Sequence, residues 1–192
     1  MSHDELIAGV DEAGRGCWAG PVTAAAVILP TDHGLIGLND SKKLSPSQRE
    51  RLAPQIKTVA TAWAVASLGA EDVDRFNILQ ATLRAMQQAV AQLKVTPSLV
   101  QVDGNRAPTL NCAVETVIGG DGKIPAIMAA SILAKVTRDH EMQRQAMNHP
   151  GYGFEQHKGY GTPEHSQALA RLGPCVLHRR TFAPVARCCS HT

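Results

Sequence analysis

Three acidic positions stand where apolar runs end or are interrupted. Asp11-Glu12 closes the run at residues 6–10, Asp103 closes the run at residues 98–102, and Asp139 falls on the apolar stripe of a long helical segment. Burying an isolated carboxylate costs several kcal/mol, so several converging on one place need protons, cationic partners or metal. Mg²⁺ and Mn²⁺ prefer carboxylate oxygen, and two such ions about 3.5–4 Å apart stabilise both the attacking and the leaving oxygen in phosphodiester cleavage. Each acid also has an ordinary role. Asp11 and Asp103 suit the turns that end strands. Asp139 suits an ion pair with Lys135 one helical turn earlier. Strand alternation sends Asp11 and Glu12 to opposite faces; unless the strand ends or kinks there, only one side chain reaches a given ion, leaving Glu12 its carbonyl.

Between the first acids and the next apolar run lies Gly14-Arg15-Gly16, where glycine lets the backbone approach a ligand and present its amides. The next glycine is Gly20, and the segment leads into a strand where a dinucleotide-binding fingerprint requires a helix. By itself a Gly-Arg-Gly loop is more often a tight turn than a site.

These residues need elements to hold them. Residues 6–10 read as a buried strand and residues 22–29 as its partner across a glycine-rich turn. Ser45-Pro46-Ser47-Gln48 is a capping-box start for a helix through about Ile56, and residues 58–68 read as a strand. Leu79, Leu83, Met86, Val90 and Leu93 mark the core face of a helix that stops before Pro97. Residues 98–102 form a strand that delivers Asp103, and residues 114–118 another that runs into Gly119-Gly120-Asp121-Gly122. After Pro125 a helix runs to about Met147, with Met128, Ile132, Val136 and Asp139 on one face. Thr162-Pro163 starts a further helix that ends at Gly173-Pro174. Strands alternating with helices give an α/β or mixed layered fold, with no internal repeat and no interdomain linker.

The composition agrees. At 192 residues, 44% hydrophobic and 19% charged, the chain is in the range of one soluble domain, and disordered, collagenous and coiled-coil readings fail. Aromatic residues are only 4%, against a protein that grips many bases by stacking. The apolar run at residues 17–30 is broken by Gly20, Pro21 and Thr23 and is too short for a membrane span. The amino terminus carries two acids and no secretory start, which points to the cytosol. Five cysteines with no Cys-x-x-Cys pair suggest reduced thiols rather than disulfides or a zinc ribbon. Net charge is only +2, yet from Lys135 onward eight Lys or Arg face four acids, a surface that could follow a phosphate backbone.

The ordered blocks Asp11-Glu12-Ala13-Gly14-Arg15-Gly16, Gly20-Pro21-Val22, Asp40-Ser41-Lys42-Lys43-Leu44-Ser45, Val102-Asp103-Gly104-Asn105, residues 130–139, Gly159-Tyr160-Gly161-Thr162 and His178-Arg179-Arg180 together resemble bacterial ribonuclease HII, the type 2 ribonuclease H, over residues 7–185. The pattern departs at Cys17-Trp18, where many relatives carry Pro-Leu.

The resemblance implies an α/β, ribonuclease H-like mixed sheet flanked by helices: a single domain over residues 1–192 with a helical carboxy-terminal extension from about residue 150. It implies incision on the 5′ side of a ribonucleotide in duplex DNA or in RNA–DNA hybrids, leaving a 3′-hydroxyl and a 5′-phosphate, independent of base sequence. It assigns the family's catalytic, metal-holding acids to Asp11, Glu12, Asp103 and Asp139, around two Mg²⁺ or Mn²⁺ ions. Gly14, Arg15 and Gly16 match the loop that senses the ribose 2′-hydroxyl, Tyr160 the tyrosine that packs on the neighbouring deoxyribose, and Lys42 and Lys43 a backbone-contacting pair. Arg179 and Arg180 would position phosphates. A cytosolic monomer is expected, and no motif in the tail supports a sliding clamp as partner. A resolvase or a ribonuclease H needing several ribonucleotides would share the acids, and a non-enzymatic binding module would hold them only structurally.

Overall fold

The computed structural model describes residues 6–189. Their order is β1 (Ile7–Ala13), β2 (Val22–Ile28), α1 (Pro46–Val59), β3 (Ala62–Leu68), α2 (Ala70–Phe76), α3 (Ile78–Ala91), β4 (Leu99–Asp103), β5 (Ala113–Val117), a 3₁₀ turn (Gly120–Gly122), α4 (Pro125–Asn148), α5 (Phe154–His157), α6 (Pro163–Leu172) and α7 (Ala183–Cys189). The sheet order is β3-β2-β1-β4-β5, with β1 antiparallel to β2 and parallel to β4. This is the mixed sheet flanked by helices that the sequence implied, with helices at its carboxy-terminal end. No helix among the described residues is long and apolar enough to cross a membrane.

Strand alternation decides what each face buries. Ala8 and Val10 of β1, Ala24 and Ala26 of β2, and Val100 and Val102 of β4 pack toward α2 and α3. Ala25 and Val27 of β2 join Ala13 in facing α1 and α4. On β1 the residues sharing Ala13's parity are Ile7, Gly9 and Asp11. Gly9 is where α4 crosses the strand: a Cβ there would fall inside the backbone of Ala126 and Ile127. That close approach sets α4 directly on the face carrying Asp11.

Several boundaries differ from expectation, for local reasons. β1 runs to Ala13 instead of ending at residue 10, because β2 pairs with it as far as Ala13 opposite Thr23. Helix α1 continues to Val59, so the strand expected from residue 58 begins at Ala62; Thr58 donates its hydroxyl to the Pro54 carbonyl within the helix. The buried face of α3 centres on Ala81, Ala85, Met86 and Ala89, with Leu83, Val90 and Leu93 packing at its margins. Small residues let this helix lie close on the alanines of β2. The capping box at Ser45 is present as expected.

A third cluster, Ala19, Met142, Tyr152, Phe154 and Ala168, joins α5 and α6 to α4. Two histidines there are buried, His165 at 0% and His178 at 2% exposure. The Cys175 N–H donates to His178 Nδ1 (3.0 Å), so the His178 hydrogen sits on Nε2 and is donated to His165 Nε2 (3.1 Å). His165 Nδ1 in turn donates to the Tyr160 carbonyl (2.9 Å). The chain of bonds closes with both rings neutral, and burial pushes the His178 pKa down to about 4.

Two outcomes are expected. Gly9→Ala wedges α4 off β1 and lowers the melting temperature by roughly 3–8 °C; an unchanged melt would contradict the close crossing. Below an unfolded value of roughly 6.5 the denatured chain takes up a proton on His178 that the folded chain refuses, so stability is lost as pH falls toward 4. Denaturant titrations of His178→Gln across that window are expected to show a shallower loss than the parent, and an equal slope would refute the neutral lock.

Candidate active site

Asp11 and Asp103 belong to adjacent parallel strands whose register pairs Val10 with Val102, so the two acids follow at neighbouring positions on the α4 face. Strand β5 runs parallel beside β4 and feeds the glycine-rich 3₁₀ turn, which carries Asp121 back over the same strand ends. One carboxylate oxygen from each of Asp11, Asp103 and Asp121 lies within 4.8 Å of the others. The Asp121 N–H donates to Asp103 Oδ1 (3.3 Å), which fixes the turn to the strand. Ligand sites at the carboxyl ends of parallel strands are a general outcome of this topology.

Local sequence pattern does not single out Asp121, whose segment reads only as a turn. The available signal is an acid within a glycine-rich turn directly after a strand that neighbours β4. Glu12 and Asp139 do not join the trio. Glu12 follows Asp11 on a continuous strand; its N–H donates to Asp11 Oδ1 (2.7 Å) and its carboxylate pairs with Arg15 (3.3 Å). Asp139 pairs with Lys135 (2.8 Å) on α4.

The cluster is electrostatically costly. Asp11 is only 4% exposed, and burial, then Glu12, then Asp103 raise its pKa well above the usual carboxylate range. Burial also raises Glu12, against the pull of Arg15. The ammonium of Lys42 reaches Asp121 Oδ2 at 2.9 Å, and that hydrogen bond is the main reason its own pKa is pushed up to about 12. A cation has thus already been drawn to the acids. Hard oxygen donors from three segments, with one buried and reluctant to ionise alone, fit a divalent metal.

Basic residues frame the acids in two ways. Lys42 and Lys43 sit exposed on a loop docked onto α4, where Ser131 donates its hydroxyl to Ser41 (2.6 Å). Arg15 and Arg180 are also exposed. Arg179, expected on phosphates, is instead 0% exposed and spends its donors on the carbonyls of Gly14 (2.7 Å), Arg15 (2.8 Å) and Gly20 (3.1 Å). Enclosed in this way, its guanidinium is shut off from the surface a phosphate would approach. The Gly14-Arg15-Gly16 loop is a turn closed by Cys17 N–H to the Gly14 carbonyl. Gly14 has φ +92°, and Arg138 packs where its Cβ would stand, whereas a Cβ on Gly16 would meet open space. Tyr160 presents a half-exposed ring near Lys135 (5.1 Å to the centroid) and Arg138 (5.6 Å), and a 400 Å³ groove joins Tyr160 to Lys135 and Asp139.

The site and fold have counterparts among known proteins. The ribonuclease HII family description matches residues 8–185. The ribonuclease HII of Bordetella pertussis is 58% identical over 180 residues, covering 94% of this chain and 90% of that one. Among solved structures, the ribonuclease H2 of Pyrococcus horikoshii superposes with a TM-score of 0.81 at 25% identity, covering 96% of this chain and 97% of its own. The ribonuclease HII of Archaeoglobus fulgidus, described in complex with PCNA, gives a TM-score of 0.70 at 28% identity, covering 86% and 87%. With matches spanning nearly its whole length, and acids gathered where its parallel strands end, the chain belongs to the ribonuclease HII family of nucleases.

Proposed function

We propose that this protein is a metal-dependent endoribonuclease that hydrolyses the phosphodiester 5′ of ribonucleotides embedded in duplex DNA or in RNA–DNA hybrids, leaving a 3′-hydroxyl and a 5′-phosphate. Its role would be removal of misincorporated ribonucleotides and RNA primers in the cytosol. The observation that carries the reading is the trio Asp11, Asp103 and Asp121, three carboxylates from separate segments brought within 4.8 Å around a buried position.

Asp11, Asp103 and Asp121 would hold Mg²⁺ or Mn²⁺, with Glu12 completing the set from its backbone or carboxylate. When bound, such ions supply an acidified water and neutralise charge on the departing 3′ oxygen. Lys42 balances Asp121 in their absence, and its mostly exposed side chain is free to follow a phosphate once that acid is otherwise neutralised. Arg15, Lys43 and Arg180 add sequence-independent phosphate contacts that weaken with salt. The open space over Gly16 admits a sugar against the loop's amides, where a 2′-hydroxyl can be read whatever the base. Tyr160 favours a neighbouring sugar that lacks this hydroxyl. Asp139, matched to the family's fourth acid from sequence, acts here by holding Lys135 beside the Tyr160 ring.

The test is nicking of a duplex with a single ribonucleotide, with and without EDTA. Asp11→Asn, Asp103→Asn and Asp121→Asn are expected to lose at least about 10³-fold in manganese-supported rate. Asp139→Asn is expected to keep manganese affinity within about twofold, as a residue outside the cluster should. Undiminished nicking in EDTA would reject the reading, and Asp139→Asn losing metal while Asp121→Asn retains it would reject this choice of acids.

A further inference from the structure

Two arginines lie wholly inside the protein without an acid between them. Arg138 and Arg179 are both 0% exposed, and neither side chain bonds a carboxylate among the described residues. Unpaired burial of a guanidinium is expensive and needs a structural return. Their donors go to the backbone of residues 14–21: Arg179 to the carbonyls of Gly14, Arg15 and Gly20, Arg138 to those of Ala19 (3.1 Å) and Pro21 (2.8 Å). The Arg179 N–H also donates to the Trp18 carbonyl (2.8 Å).

Peptide geometry converts these bonds into an orientation. All described peptide bonds are trans, and in a planar trans peptide the carbonyl and the following N–H point in opposite directions. Gly14 and Arg15 carbonyls drawn inward to Arg179 therefore turn the N–H groups of Arg15 and Gly16 outward. Both residues are exposed, and neither N–H has a hydrogen-bond partner among the described residues. A charge-assisted hydrogen bond to the carbonyl also polarises the peptide, so each outward N–H is the stronger donor.

We propose that Arg179 is a positioning residue for substrate discrimination: buried beneath the sensing loop, it aims the Arg15 and Gly16 amides as a paired donor at the ribose hydroxyl of the bound strand. The inference rests on the sensing role given to Gly14-Arg15-Gly16 above and adds the residue that sets it. Arg179 never meets the nucleic acid. Burial lowers its pKa to about 10, still high enough to keep it charged at neutral pH. Lysine cannot replace it, since one ammonium lacks the fork that spans three carbonyls.

The experiment is steady-state nicking, in manganese, of a duplex carrying one ribonucleotide, with the all-DNA duplex as competitive inhibitor. Arg179→Lys is expected to raise KM for the ribonucleotide duplex about tenfold while the inhibition constant of the all-DNA duplex moves less than about twofold. A second pair isolates the amide. Neither central residue of the Gly14–Cys17 turn has positive φ, and proline suits the first central position, so Arg15→Pro removes that N–H and keeps the turn, with Arg15→Ala as side-chain control. Arg15→Pro is expected to exceed Arg15→Ala by about tenfold in the same KM. Equal rises in KM and inhibition constant for Arg179→Lys, or identical behaviour of the two Arg15 variants, would overturn the proposal. If thermal melting shows that Arg179→Lys does not fold, the Arg15 pair decides. A parent enzyme that binds both duplexes equally would instead overturn the sensing role itself, a result separate from either.

Discussion

The mutual repulsion of carboxylates at one corner of the sheet is the constraint around which this molecule is arranged. Asp11 and Asp103 are neighbours because β1 and β4 run in parallel and in register, and Asp121 is returned to them by the turn after β5. Nothing in that arrangement favours folding by itself. Burial and its neighbours hold Asp11 away from easy ionisation, and the fold offsets the charge with Lys42 and Arg15. Both compensating cations are exposed residues outside the strands and helices, so their side chains can yield to other positive charge without disturbing the sheet.

The remainder of the fold brings α4 against that corner. Gly9 admits the helix to the strand backbone, Ser131 ties it to the loop of Lys42, and Arg138 reaches from its middle to the carbonyls of Ala19 and Pro21. The carboxy-terminal helices complete the frame through the His165–His178 pair and the Arg179 clamp. Two classes of cation result: exposed ones able to follow phosphates, and buried ones that shape a loop.

Local pattern carried the reading of the sheet, of Ser45 as a helix start, and of Asp11 and Asp103 as acids ending apolar runs. It failed where geometry depends on distant pairing. Asp121 is an ordinary turn residue until β5 is set parallel to β4. Helix α4 is buried on most of its circumference, from Ile127 through Arg138 to Met142, so an apolar stripe could not tell which acid faces the strands. Arginine is usually exposed, and nothing local marks Arg179 as interior. The short helices α2, α5 and α7 contain too few turns for periodicity to show.

Crystals soaked in manganese and measured at an energy where manganese scatters anomalously address the central claim without relying on turnover. The account predicts anomalous density bounded by the carboxylates of Asp11, Asp103 and Asp121, with the Lys42 ammonium displaced from Asp121. Density beside Asp139 and Lys135, or none near the trio under conditions that support nicking, would contradict it.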